Sequence, residues 1–290
     1  MRDVARIVGL ILLLAGAARA EVGGYVEEIG RWHDKFDQGV RDDGWLTLVA
    51  RERIDEGRWT LGSEPRSAIV LPAKAPPRLG LLSRRGTAFR FSPASKVAAT
   101  LGGRAIKGAV DLPTRHGSDS LESGDLSLVV RAVGEDFYLL VSDSKNGAVH
   151  EFLGTTWYPV DPAFHVAATF EPYDKPETVH VPLTHVDSRE VMQSTGDLVF
   201  QLAGKSYRLK TFLEDEGLFV MFQDATNGQR TYGGGRFIDV PKPVGNVTTL
   251  DFNKAFNPYC SLNAYIMCPI PPAENRLDLA VTAGETYFPR

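Results

Sequence analysis

Leu198-Val199-Phe200-Gln201-Leu202-Ala203-Gly204-Lys205-Ser206-Tyr207-Arg208-Leu209-Lys210-Thr211-Phe212-Leu213-Glu214-Asp215-Glu216-Gly217-Leu218-Phe219-Val220-Met221-Phe222 is the stretch from which the fold is read. Leu198, Phe200 and Leu202 alternate with Val199 and Gln201, the period of two that puts one set on one face of a strand. Ala203-Gly204-Lys205-Ser206 is a turn, and residues 207–212 return. Residues 214–217 form the next turn. Residues 218–222 are an almost unbroken apolar run, as expected of a central strand buried on both faces. The expectation is a meander of three antiparallel strands, with one more strand after Leu277 through Leu279 and Val281.

Working outward, the same habit recurs towards the N-terminus. Residues 45–49 and 58–62, residues 68–71, the pair Phe89 and Phe91, the alternating Leu126, Leu128 and Val130, and residues 137–141 read as short strands. Polar turns separate them, and 28 Gly with 18 Pro punctuate the chain into short segments, which favours β architecture. Many short strands of this kind predict a β-sandwich. One segment differs. Tyr25, Ile29, Trp32, Phe36 and Val40 recur at spacings of three and four, one face of a helix, and the opposite face carries Glu27, Glu28, Arg31, Asp34 and Lys35. The strand pattern pauses at Trp157-Tyr158-Pro159-Val160-Asp161-Pro162. The expected organisation is mainly β: an amphipathic helix over residues 21–43, a sandwich over 44–155 and a second antiparallel β domain over 156–290.

Residues 1–20 have the order of an export signal: Arg2 and Arg6, an apolar run over residues 7–16, then Ala18-Arg19-Ala20. Spanning a bilayer takes about twenty apolar residues, roughly twice this run. Cleavage near Ala20 and a periplasmic or secreted location are therefore expected, with no membrane span in the mature chain. The chain has 32 basic and 36 acidic residues, a formal net charge of −4. That balance does not favour nucleic acid or an anionic membrane surface as partner.

Two resemblances rest on quoted residues. Leu61-Gly62, Ile69-Val70-Leu71, Gly102-Gly103 and Ser123-Gly124-Asp125-Leu126 resemble the frame of a forkhead-associated domain, a β-sandwich that reads phosphothreonine. Ser63 stands where that family has an arginine, and residues 79–85 hold no histidine, so phosphopeptide reading is not carried over. The second covers nearly the whole mature chain. Residues 43–49, Tyr158-Pro159 and Phe170-Glu171-Pro172-Tyr173 are similar to DUF family 1684, a bacterial and archaeal family of unknown function. So are residues 222–228, Thr231-Tyr232-Gly233-Gly234-Gly235-Arg236-Phe237, residues 250–258, Cys260, Cys268-Pro269, Pro271-Pro272 and Glu274-Asn275-Arg276-Leu277. Tyr259 and Ala273 depart from the family, which often has proline there. The resemblance implies no established activity.

The densest polar set lies between Asp224 and Arg276. Asp224, Thr226, Tyr232, Arg236, Asn257, Glu274, Asn275 and Arg276 are the candidate binding residues, with Arg236 a forked donor for an anionic group and Tyr232 an aromatic ring with a polar tip. The favoured reading is a non-catalytic extracytoplasmic binding protein for a small anionic ligand or a protein partner. One alternative is a hydrolase using Asp224 or Glu274 as general base, and another is a structural module. Cys260 and Cys268 are the only cysteines, so an oxidising compartment makes a disulfide the expectation. Packed free thiols, or a catalytic thiol with His165 as base, stand beside it. No His follows His185 to complete a zinc site, and no Gly-x-Ser-x-Gly elbow is present. No cofactor or metal is expected.

Overall fold

The computed structural model describes residues 2–114, 119–214 and 217–288, with residues 2–21 as helical backbone alone. The side chains that carry the expected export signal lie outside the described residues. Strands make up 47% of the chain and helices 14%, so the mainly β expectation holds, with an N-terminal helix followed by several antiparallel sheets.

Two sheets share the first core. One has five strands in the order Ile69–Val70, Gly57–Gly62, Gly80–Arg85, Ala88–Pro93 and Val110–Leu112. The other has six, in the order Leu48–Arg53, Asp136–Asp143, Leu126–Val133, Leu121–Ser123, Thr100–Leu101 and Arg104–Ala105. Leu61, Leu82, Phe89 and Phe91 of the first sheet pack on Leu128, Val130, Leu139 and Val141 of the second. Alternation along each strand puts these residues on the inner faces.

The second half corrects the meander. Arg189–Leu202 pairs with Lys205–Lys210 as expected, with Leu198 opposite Leu209 and Phe200 opposite Tyr207. Ala203 and Gly204 take φ of 50° and 76°, which suits the two-residue turn between them. The chain then leaves this sheet. Thr211, fully buried, turns its N–H and Oγ1 to the Gly196 carbonyl at 3.1 and 2.8 Å, and Phe212–Glu214 joins a different sheet with Gly217–Phe222 and Arg236–Pro241. The four-stranded sheet is completed by His165–Pro182 and Val247–Asp251. Gly217–Phe222 is buried on both faces, as the apolar run predicts. Leu218, Val220 and Phe222 enter the core between the sheets, and Phe219 and Met221 enter another on the far side. After Leu277 the extended strand does not form. Residues 277–283 are irregular, and Glu285–Thr286 makes a two-stranded ribbon with Thr156–Trp157.

The N-terminal helix, Arg2–Asp42, closes the second core rather than the first. Ile29 and Val40 are fully buried, and Trp32 and Phe36 pack with Trp157, Phe256 and Tyr259. The stripe predicted from spacing is the docked face. Polar side chains fix its register. Tyr25 Oη donates to Asp251 at 2.9 Å, His33 Nε2 donates to the Asn253 carbonyl at 3.0 Å, and Asp37 accepts from Thr155 Oγ1 at 2.6 Å. His33 also stacks on Trp157 at 3.8 Å, and its burial lowers the pKa below the usual histidine value. Among the described residues no helix is long and apolar enough to cross a membrane.

Candidate functional site

Of the polar set singled out from sequence, Asp224, Thr226, Arg236, Asn257 and Asn275 are buried and act as internal braces. Asp224 leaves the end of the buried strand Gly217–Phe222. Its Oδ1 accepts from Thr226 N at 2.8 Å, Thr226 Oγ1 at 2.6 Å and Val281 N at 3.2 Å. Its Oδ2 meets Arg236 Nη2 at 2.7 Å, with both side chains at 0% exposure. Arg236 also donates to the Val281 carbonyl at 2.8 Å and to that of Ala283, and its guanidinium lies 5.3 Å from the Phe222 ring centroid. The pair therefore pins the irregular 281–283 segment to the core. With both side chains closed to solvent, Arg236 presents no surface to a ligand in this structure.

The other candidates divide in the same way. Asn275, fully buried, accepts from Lys210 N at 2.7 Å and donates to the Lys210 and Met221 carbonyls at 2.8 Å each, bridging two sheets. Asn257 accepts from Tyr232 N at 3.2 Å and donates to the Thr286 carbonyl at 3.1 Å. Tyr232 is half-buried, while Glu274 and Arg276 are exposed at the surface. Neither Asp224 nor Glu274 sits in a cleft as a general base requires. None of the eight lines either cavity described below.

The expected disulfide is also corrected. Cys260 and Cys268 are free thiols, each buried. Cys268 Sγ accepts the Cys260 N–H at 3.2 Å, and the two thiols hydrogen-bond to each other. That bond holds Cys260 below the usual thiol range and pushes Cys268 above it. Among the described residues no group of three His, Cys, Asp or Glu side chains is set to hold a metal ion.

The larger concave surface lies elsewhere, where the helix crosses the seam between Arg236–Pro241 and Val247–Asp251. This groove encloses about 680 Å³ and is lined by Trp32, His165, Glu214, Asp239, Asp251 and Lys254, among others. Asp251 is fixed: Oδ1 accepts from Tyr25 Oη and from Asn253 N at 3.1 Å. Burial and the neighbouring Asp251 charge push the Tyr25 hydroxyl well above the usual tyrosine range, so Tyr25 remains a donor. His165 stacks flat on Tyr25 at 5.0 Å. Lys254 Nζ lies 3.5 Å from Glu28 and 3.9 Å from Asp251. Asp239 is exposed, yet its place in the concave wall desolvates the carboxyl and raises its pKa. The wall thus sets Asp239 and Asp251 beside an indole ring, with its one lysine already shared between two acids. That is an environment for a cation rather than an anion.

Sequence reasoning saw Trp32 only as helix face and His165 only as a stray base. The overlooked signal was Asp239, an acid within the apolar strand Arg236–Pro241. Alternation places it on the same face as buried Phe237.

The comparisons with known proteins assign no activity. None of the curated proteins matches the chain. Among solved structures, a solution NMR structure of an uncharacterized protein from Haloarcula marismortui is 36% identical, with 48% of this chain and 78% of that chain covered and a TM-score of 0.41. The family model described as "Protein of unknown function (DUF1684)" matches residues 150–286, which include His165, Asp239, Asp251 and Lys254 of the groove. Over this region, somewhat under half of its length, the chain matches the DUF1684 family of proteins of unknown function.

Proposed function

We propose that this is an exported, non-catalytic protein that binds a small organic amine in the groove between the N-terminal helix and the Asp239–Asp251 wall. The observation that carries the reading is the pairing of the Asp239 and Asp251 carboxyl groups with the Trp32 indole in a groove of about 680 Å³, a size typical of small-molecule sites. A protonated amine gains from both the carboxylates and the aromatic face. The neighbours support the non-catalytic part of the reading. Asp251 is locked by Tyr25 and Asn253, and His165 is stacked on Tyr25. The parts divide as residues 21–43, 44–155 and 156–290, with a forkhead-associated-like sandwich as the middle part. Export rests on the Arg, apolar, Ala-x-Ala order of residues 1–20; the intact mass of secreted material should begin at Glu21, and retention of Met1 on cytoplasmic protein would contradict it.

Binding is tested by titrating spermidine while following tryptophan fluorescence. A saturable change is expected, abolished in Trp32→Phe and weakened about tenfold in Asp239→Asn, which corresponds to about 1.4 kcal/mol. No saturable response, or one untouched by Asp239→Asn, would overturn the assignment.

A further inference from the structure

A second cavity lies on another part of the same half, around the short ribbon of Thr156–Trp157 and Glu285–Thr286. Gly284 precedes it at φ 81°, and a Cβ there would fall 2.5 Å from the Ala255 carbonyl oxygen. Only glycine lets the chain press in this closely. The consequence is that the Glu285 N–H donates to that carbonyl at 2.7 Å and the carboxyl group is carried inside, at 4% exposure. Its Oε2 accepts the Asn257 N–H at 2.7 Å.

The charges facing Glu285 are committed to other partners. Asp37, from the helix, accepts from Thr155 N at 3.0 Å and Thr155 Oγ1 at 2.6 Å. Arg236, from the neighbouring strand, is held by Asp224. Tyr259 packs within electrostatic reach, and its own hydroxyl is pushed above the usual range by burial. Burial, reinforced by Asp37 and only partly offset by Asn257 and Arg236, raises the Glu285 pKa to about 8. The group is therefore a neutral acid at neutral pH, able to donate as well as accept.

The cavity encloses about 430 Å³ and is lined by Thr155, Thr156, Ser261, Glu285, Tyr287 and Phe288, with Gly154, Leu262 and Thr286. The Ser261 hydroxyl is buried with no hydrogen-bond partner among the described residues. A buried hydroxyl without a partner is rare, and it marks a place where a bound group would complete the structure. The two rings are braced from outside. Tyr232 meets Tyr287 edge-on at 5.1 Å, and the Arg230 guanidinium lies 5.5 Å from the Phe288 centroid. No lining side chain is a fixed cation, so the cavity favours neither of the charged classes.

From this juxtaposition we infer that the cavity is a second binding site, for an uncharged polyhydroxy ligand of single-sugar size. Ser261 and Glu285, whose polar groups are closed to solvent in this structure, turn outward to meet its hydroxyls, and Tyr287 and Phe288 meet its carbon face. The site is independent of the amine groove.

The test is an NMR titration of the mature chain with D-glucose, followed at backbone amides. Saturable shifts are expected at Thr155, Thr156, Ser261 and Thr286. Ser261→Ala and Glu285→Gln should each weaken binding about fivefold or more. Gln keeps the acceptor for Asn257, so that variant should retain the fold, and the spermidine response of the groove serves as an internal check. Wild-type binding should weaken between about pH 6.5 and pH 9, as Glu285 loses its proton, and Glu285→Gln should be flat over that range. The inference is overturned by any of three results: no saturable shift at those amides, unchanged binding in both variants, or a wild-type profile as flat as that of Glu285→Gln.

Discussion

Replacing Arg236 by alanine is the sharpest perturbation of the fold. The guanidinium is fully buried, and it satisfies one oxygen of Asp224 and two backbone carbonyls, Val281 and Ala283. Alanine leaves the Asp224 carboxylate inside without its cation, a change that destabilises by about 3 to 5 kcal/mol. The two carbonyls lose a charged donor, which adds about 1 kcal/mol or more unless water enters. The expected loss is therefore about 4 kcal/mol or more, a large share of the 5 to 15 kcal/mol that holds a typical domain. Urea unfolding of the mature chain measures it, as a fall in midpoint with little change in slope. The companion experiment is a double-mutant cycle with Asp224→Asn. If the pair is one unit, the double variant should be less destabilised than the sum of the singles by about 1 kcal/mol or more. A loss below about 1 kcal/mol for Arg236→Ala, or strict additivity, would refute the structural role given to this pair.

Further outcomes follow from other contacts. Asn275→Ala removes one acceptor and two donors that join Lys210 to Met221, and should cost about 2 to 4 kcal/mol in the same unfolding assay. Ile29→Ala should destabilise by about 2 to 5 kcal/mol and speed amide hydrogen exchange in the helix, because a fully buried side chain is emptied at its docking face. Glu285 has a folded pKa of about 8, raised from 4.5, so the native state binds more protons than the unfolded chain between these values. Its contribution is fully present below the lower value and is lost as pH rises through the higher one; unfolding at a series of pH values should show that slope, and Glu285→Gln should flatten it. The unreduced, denatured protein should expose two reactive thiols, whereas a native bond between Cys260 and Cys268 would leave none.

Much of the architecture could be read from local pattern. The helix face Tyr25-Ile29-Trp32-Phe36-Val40 and the doubly buried strand Leu218–Phe222 are both set by periodicity, and each is used as the period predicts. The meander failed at Thr211, because leaving a sheet depends on a tertiary hydrogen bond to Gly196 that no local pattern announces. The strand expected after Leu277 failed for a similar reason. Its backbone is claimed by Asp224 and Arg236 instead of by a neighbouring strand.

The candidate site was read less well. A cluster of polar residues near a buried strand needs partners, and sequence cannot tell a ligand from a neighbouring side chain. Asp224, Arg236, Asn257 and Asn275 found partners inside the protein. The groove is assembled from residues far apart in sequence, Trp32 and Asp239 among them, so no motif could mark it.

The position of the amine site is tested most directly by mapping amide and indole shifts across the chain during a spermidine titration. The Trp32 indole and the amides of Asp239, Thr249, Asp251 and Lys254 should move together and saturate, while Thr226, Tyr232 and Arg236 stay still. Shifts centred on Thr226, Tyr232 and Arg276, or no saturable shift in the groove, would contradict the assignment.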